Sequence, residues 1–270
     1  MLDRIYTGIG SRQTPDTVCD DMRVIAAKLA DAGWLLRSGG APGADSAWAD
    51  GAKARQTPPG AVAFGRPDPQ GRTGKAPVII LPHEGFNNQA GIVLPKNILA
   101  DAEPIAASFH PNWSACNAFA RKAHSRNVPQ VLGPDLATPS TVVLAWTPDA
   151  ATVGGTATAL RIATFCRIPI LNLADPRCQG LASLSTEALD TTVFAIATSW
   201  QDDLAQQITR AGIAPPRLTD SRELVLWLHA QPWNTRREVF HRLAIQEATR
   251  DATATRDPLP TPRAPAPPTL

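Results

Sequence analysis

The chain has no apolar run of membrane-spanning length, no Gly-Lys-Ser/Thr phosphate loop and no GxGxxG dinucleotide pattern. A spanning helix needs about 20 consecutive apolar residues, so no membrane partner is expected. Cysteine is scarce: four stand among 270 residues, at 19, 116, 166 and 178, and none share a CxxC spacing. Histidines 83, 110, 124, 229 and 241 never form an HxxxH pair. Metal sites usually announce themselves by such spacings, so no metal site and no cofactor are expected. Met1-Leu2-Asp3-Arg4 carries no secretory apolar core, which together with the sparse cysteines gives the expectation of a cytoplasmic protein with reduced thiols. A charge excess is missing too. Lys and Arg number 26 against 24 Asp and Glu, a net +2 spread without runs, too mild to argue for nucleic acid by itself.

What is present is an ordinary core-forming composition, 43 % hydrophobic and 19 % charged. Short apolar runs alternate with helical patterns. Tyr6 to Ile9 reads as a strand, and Val18, Met22, Ile25 and Leu29 repeat at helical spacing until Gly33. Trp34 to Leu36 is the next strand and Ala44 to Lys53 the next helix. Val78 to Leu81, Val142 to Trp146 and Pro169 to Leu173 read as further strands. Ile98 to Ser108, Ser114 to Ala123 and Ala157 to Cys166 read as helices. Such βα alternation predicts an α/β fold: a Rossmann-like, doubly wound, mostly parallel sheet with helices on both faces. It occupies residues 1–185. Helices expected over Asp202 to Arg210, Ser221 to His229 and Arg236 to Ala248 make 186–252 a helical C-terminal extension. The Pro-rich 253–270 is expected to be disordered, and 58–76, dense in Pro and Gly, mobile.

Three glycine-bearing loops follow expected strands and precede expected helices: "GIGSR" at 8–12, "SGGAPGAD" at 38–45 and "VGGTATA" at 153–159. In a parallel sheet such loops share the carboxyl edge, where these folds bind ligands. Glycine lets a ligand approach the backbone, and a helix N-terminus suits phosphate. A single glycine turn needs no ligand to explain it. Three at one edge, with Ser11, Ser38, Thr156 and Thr158 beside them, point to an anion.

The blocks "YTGIGSR", "SGGAPGADSAWADGA" and "VGGTATALRIA", with "HSRNVPQVLG" between them, resemble the Rossmann-like SLOG superfamily over about residues 5–175. The nearest likeness is to the DprA (Smf)/YpsA-like proteins of the kind found in bacteriophages. The resemblance implies binding of a nucleotide or nucleotide-derived ligand. It nominates Gly10, Ser11 and Arg12, then Ser38, Gly39, Gly40, Ala41 and Asp45, then Gly154, Gly155 and Thr156, with Arg126 and Asn127 at the pocket. Asp45 is read as a ribose or base acceptor, or as a charge complementing a helix N-terminus. Trp113 is a candidate for stacking on a base, or is simply packed. His124 is read as structural.

The superfamily's LOG phosphoribohydrolases carry a PGGxGTxxE block whose glutamate serves catalysis. Here Ala159 stands three residues after Thr156, and Arg161 follows. Glycoside hydrolysis would then fall to Asp45 and Glu84, the latter in "LPHEGFNN". Two other readings stay open: a DprA-like mediator of recombination on single-stranded DNA, which would need a basic stripe from residues such as Arg12, Arg37, Lys53, Arg55, Arg121, Lys122 and Arg126, and self-association as a homo-oligomer.

Overall fold

Val142–Trp146 is apolar throughout and its first four residues are buried, as a central parallel strand flanked on both faces must be. A computed structural model, describing residues 3–56, 74–215 and 217–254, places it beside the first strand. The strands are β1 (Ile5–Gly10), β2 (Leu35–Ser38), β3 (Val78–Leu81), β4 (Ile92–Val93), β5 (Val142–Trp146) and β6 (Ile170–Asn172). They form one sheet in the order β4-β3-β2-β1-β5-β6. Every pairing is parallel. The α/β Rossmann-like expectation is met.

The helices are α1 (Asp16–Asp31), α2 (Ala44–Ala54), α3 (Lys96–Phe109), α4 (Ala118–Leu132), α5 (Ala157–Phe165), α6 (Thr186–Arg210), α7 (Ser221–Ala230) and α8 (Trp233–Ala254). One face of the sheet is covered by α1 and α2, through Met22, Ile25, Leu29 and Trp48. The other is covered by α3, α4 and α5, through Ile105, Val128, Val131 and Ile162. At Gly51 the two first helices touch so closely that an added Cβ would strike the Arg23 carbonyl.

Helix α6 is longer than the expected Asp202–Arg210 segment. Leu189, Val193 and Ala197 enter the first core, and Trp200, Leu204 and Ile208 enter the second. The extension from 186 is therefore packed into both cores. It is also tied to the N-terminal strand region: Asp190 accepts from Arg4 Nη2 at 3.0 Å and from Trp34 Nε1 at 2.8 Å. Of the proline-rich stretch 58–76, only 74–76 are described, with Gly74 in a parallel bridge to Gln56. The rest of that expectation, and that for 253–270 beyond Ala254, lies outside the described residues.

His229 on α7 sits fully buried, and neither ring nitrogen has a partner among the described residues. Burial, then Arg236, pushes its pKa down to about 3. Above pH 6.5 both folded and unfolded chains keep the ring neutral. As pH falls from there towards 3, the unfolded chain takes up a proton that the folded chain refuses, and stability is lost over that window. His229→Leu should raise stability at pH 7 by about 1–3 kcal/mol, the desolvation cost of orphaned polar atoms. It should also flatten the loss between pH 6.5 and 3. Urea unfolding of both chains across that range measures it.

Candidate functional site

In the sheet order, β1 and β5 are where the winding reverses. Gly10 pairs in register with Trp146, and the helices that follow these two strands, α1 and α5, lie on opposite faces of the sheet. Such a switch point opens a crevice at the carboxyl ends of the strands. Here it is a cleft of about 500 Å³.

Loops one and three close on each other directly. Thr156 Oγ1 donates to Gly10 O at 2.7 Å, and Ser11 N–H to Trp146 O at 3.0 Å. Loop two joins through Ala44 N–H, 3.3 Å from Ser11 O. Helix α4 supplies the facing wall. Asn117 caps it, accepting from Ala120 N–H at 2.8 Å. Ala120, Ala123, Asn127 and Gln130 then recur at helical spacing along the cleft, with Phe119, His124 and Arg126 beside them. Asn127 Nδ2 donates to Gly155 O at 2.9 Å and so anchors the third loop.

Of the nominated residues, Gly10, Ser11, Arg12, Ala41, Asp45, Arg126, Asn127, Gly154, Gly155 and Thr156 line this cleft. Ser38, Gly39 and Gly40 do not. The second loop is small for a different reason from the one expected. A Cβ at Gly39 would strike Gln130 Nε2 and the Arg126 guanidinium, and one at Gly40 would meet Leu81 at 3.0 Å. At Gly43, φ is +79° and a Cβ would stand 2.7 Å from Ser11 O, so only glycine fits. Protein, not ligand, occupies that space. Gly154 and Gly155 differ: a Cβ on either meets nothing within 4 Å. Helix α5 begins just after them, and no side chain caps its first turn. Ala157 N–H closes a turn on Gly154 O at 3.2 Å, and the positive dipole end of the helix lies beside the open space at Gly154 and Gly155.

The electrostatics centre on Asp45 and Arg126, both buried. Arg126 Nη2 lies 3.9 Å from Asp45 Oδ2, and Nη1 donates to Gly39 O. Burial pushes the Asp45 carboxyl up, against Arg126 and the N–H groups of Ala41 and Gly10. Burial likewise lowers the Arg126 guanidinium, against Asp45. Arg126 Nε and Gln130 Nε2 have no acceptor among the described residues. Arg12 is exposed at the mouth. Two such buried donors and one exposed guanidinium thus line the cleft.

One further expectation is corrected, and two other side chains are placed. Glu84 is exposed and lines a separate hollow with Lys96 and Leu99, so it does not join Asp45. Arg161 turns away and donates to Phe109 O at 3.2 Å, putting no charge in the cleft. Trp113 packs against the rings of His110 and His124 and does not line the cleft. The aromatic that does is Phe119, 45 % exposed and 6.4 Å from Phe86. Sequence reasoning passed over Phe119 because it opens a helix rather than standing beside a glycine loop.

No family model, curated protein or solved structure matched this chain.

His124, expected to be structural, is hydrogen-bonded within the fold and also reaches the cleft. Its Nδ1 stands 3.1 Å from Thr158 Oγ1, and burial, His110 and Arg126 lower its pKa to about 4. Against the expectation of no metal-ligand cluster, His110, Cys116 and His124 converge, with their donor atoms all within 4.8 Å. The spacing is neither CxxC nor HxxxH. The short 3₁₀ turn Trp113–Ala115 folds the segment back so that His110 and Cys116 meet α4.

Proposed function

We propose that this chain binds a nucleotide or nucleotide-derived ligand, with its phosphate on the Gly154–Gly155 turn at the N-terminus of α5. One observation carries the reading: at the sheet's switch point, the one glycine pair with open space beside it adjoins an uncapped helix start. A phosphate there accepts backbone N–H bonds and meets the positive helix end. Arg12 adds charge at the mouth, and Phe119 offers a face on which a base can stack, a contact worth about 1–3 kcal/mol. The cleft, about 500 Å³, suits a ligand of that size. The reading agrees with the SLOG resemblance carried by the same loops.

Single-stranded DNA binding is the weaker reading. Of the basic residues that would form a stripe, Arg37 is buried and donates to Thr138 O at 2.6 Å. Arg55 pairs with Asp31 at 2.7 Å, and Lys53 donates to Gln89 at 2.9 Å. Glycoside hydrolysis is weaker still. It builds positive charge on the sugar and needs a carboxylate free to face it, and Asp45, the one carboxylate lining the cleft among the described residues, is buried beside Arg126.

Gly155→Val tests the proposal. The side chain would project into open space, so the fold should hold. It would fill the phosphate position and weaken nucleotide binding about 10–100-fold, the loss of roughly 1.4–2.7 kcal/mol expected for a charge-assisted contact. Unchanged affinity by calorimetry would refute the placement.

A further inference from the structure

We propose that His110, Cys116 and His124 form a binding site for a zinc-class divalent cation at the wall of the cleft. The three donors come from two elements that the turn at Trp113–Ala115 brings together. Cys116 Sγ stands 3.7 Å from both ring nitrogens of His110, and the two imidazole centroids are 4.4 Å apart. Tetrahedral Zn²⁺, at about 2.3 Å from sulfur and 2.0–2.1 Å from nitrogen, separates such donors by roughly 3.3–3.6 Å. The donors stand up to 4.8 Å apart, so the His110 ring must turn and the cluster draw in by about 1 Å to close on an ion.

The donor set is selective. One thiolate and two imidazoles favour zinc and its borderline neighbours over magnesium or calcium, which take oxygen. Thr158 Oγ1 engages Nδ1 of His124, which orients the ring and leaves its second nitrogen for a ligand. Loading asks His110 to give up the bond its Nδ1 accepts from Asn112 N–H at 3.2 Å. Cys116 is the one cysteine of the four that is not buried, so it alone is placed to exchange its proton for a metal. Three protein donors leave a fourth position open. His124 belongs to both the cluster and the cleft lining, so the ion would sit against the ligand site.

The test is a Co²⁺ titration of the reduced, chelator-treated full chain, followed by Zn²⁺. The expected result is one equivalent of Co²⁺ with a thiolate-to-cobalt charge-transfer band, bleached when Zn²⁺ displaces it. Cys116→Ser, on a surface turn, should keep its far-ultraviolet circular dichroism and lose the band. His110→Gln should bind Zn²⁺ at least tenfold more weakly, read by competition with a chromophoric chelator. No charge-transfer band, a band that survives Cys116→Ser, or unchanged Zn²⁺ affinity in His110→Gln would overturn the site. None of these readouts depends on nucleotide binding, so the cation site and the proposed function fail separately.

Discussion

Arg126→Met lowers the stability of the fold by about 3–5 kcal/mol, the usual consequence of removing one partner of a buried ion pair. Arg126 is 7 % exposed and its guanidinium holds Gly39 O and Asp45 at once, lying over the Phe86 ring at 5.7 Å. Methionine keeps the bulk and some of the packing. It leaves Asp45, 4 % exposed, without its opposite charge. The loss should depend on pH. Burial already raises the Asp45 carboxyl above 3.8, and without Arg126 it rises further. A carboxyl raised in the folded state favours folding in acid and disfavours it as pH climbs through the folded pKa. The deficit of Arg126→Met should therefore grow as pH rises from about 4 towards 7. Adding Asp45→Asn should recover much of it, because the stranded charge is gone. Urea unfolding at pH 4, 5.5 and 7 reads all three chains. A deficit that is flat with pH, or that persists unchanged in the double variant, would show that the pair does not hold the site.

Gly10→Ala should be the second large effect, and its contrast with Gly155→Ala separates the two kinds of glycine in these loops. An added methyl at Gly10 would lie 2.5 Å from Ala44 Cβ and 2.7 Å from Trp146 O. Neither atom is the free end of a long side chain, so α2 or β5 must shift. Overpacking of this kind costs about 1–3 kcal/mol, sometimes more. Since Gly10 O also holds Thr156 at 2.7 Å, the third loop would move with it. Gly155→Ala should change stability by less than about 0.5 kcal/mol, as a surface substitution into open space. Equal melting temperatures for the two variants would contradict this division.

That division also marks how far the sequence could be read. The order of strands and helices was legible because buried parallel strands are continuous apolar runs. Val78–Leu81 and Val142–Trp146 match the expected bounds. Strand β4 was not expected: it has two residues, both exposed, at the sheet edge. The second half of α4 was masked by Pro129, which ordinarily ends a helix but here lies inside one. The early part of α6 was missed although Leu189, Val193 and Ala197 carry the spacing, because Thr191, Thr192 and Val193 lower helix propensity.

At the site, the sequence marked three loops but could not say which glycines face a ligand. Gly39 and Gly155 look alike as letters. One is small because Arg126 and Gln130 occupy its space, the other because nothing does. Glu84 does follow a strand, as expected, but β3 stands two strands from β1 and so away from the switch point. The cluster of His110, Cys116 and His124 escaped the motif search because a turn, rather than a regular spacing, brings it together.

The central claim is that the cleft recognises its ligand through phosphate at the start of α5. Calorimetric titration of the purified chain with matched nucleoside and nucleotide pairs tests it most directly. At least one nucleotide should bind, its affinity should fall with added salt, and the nucleoside lacking phosphate should bind at least about tenfold more weakly. A nucleoside that binds as tightly as its nucleotide, or no binding by any member of the panel, would contradict it.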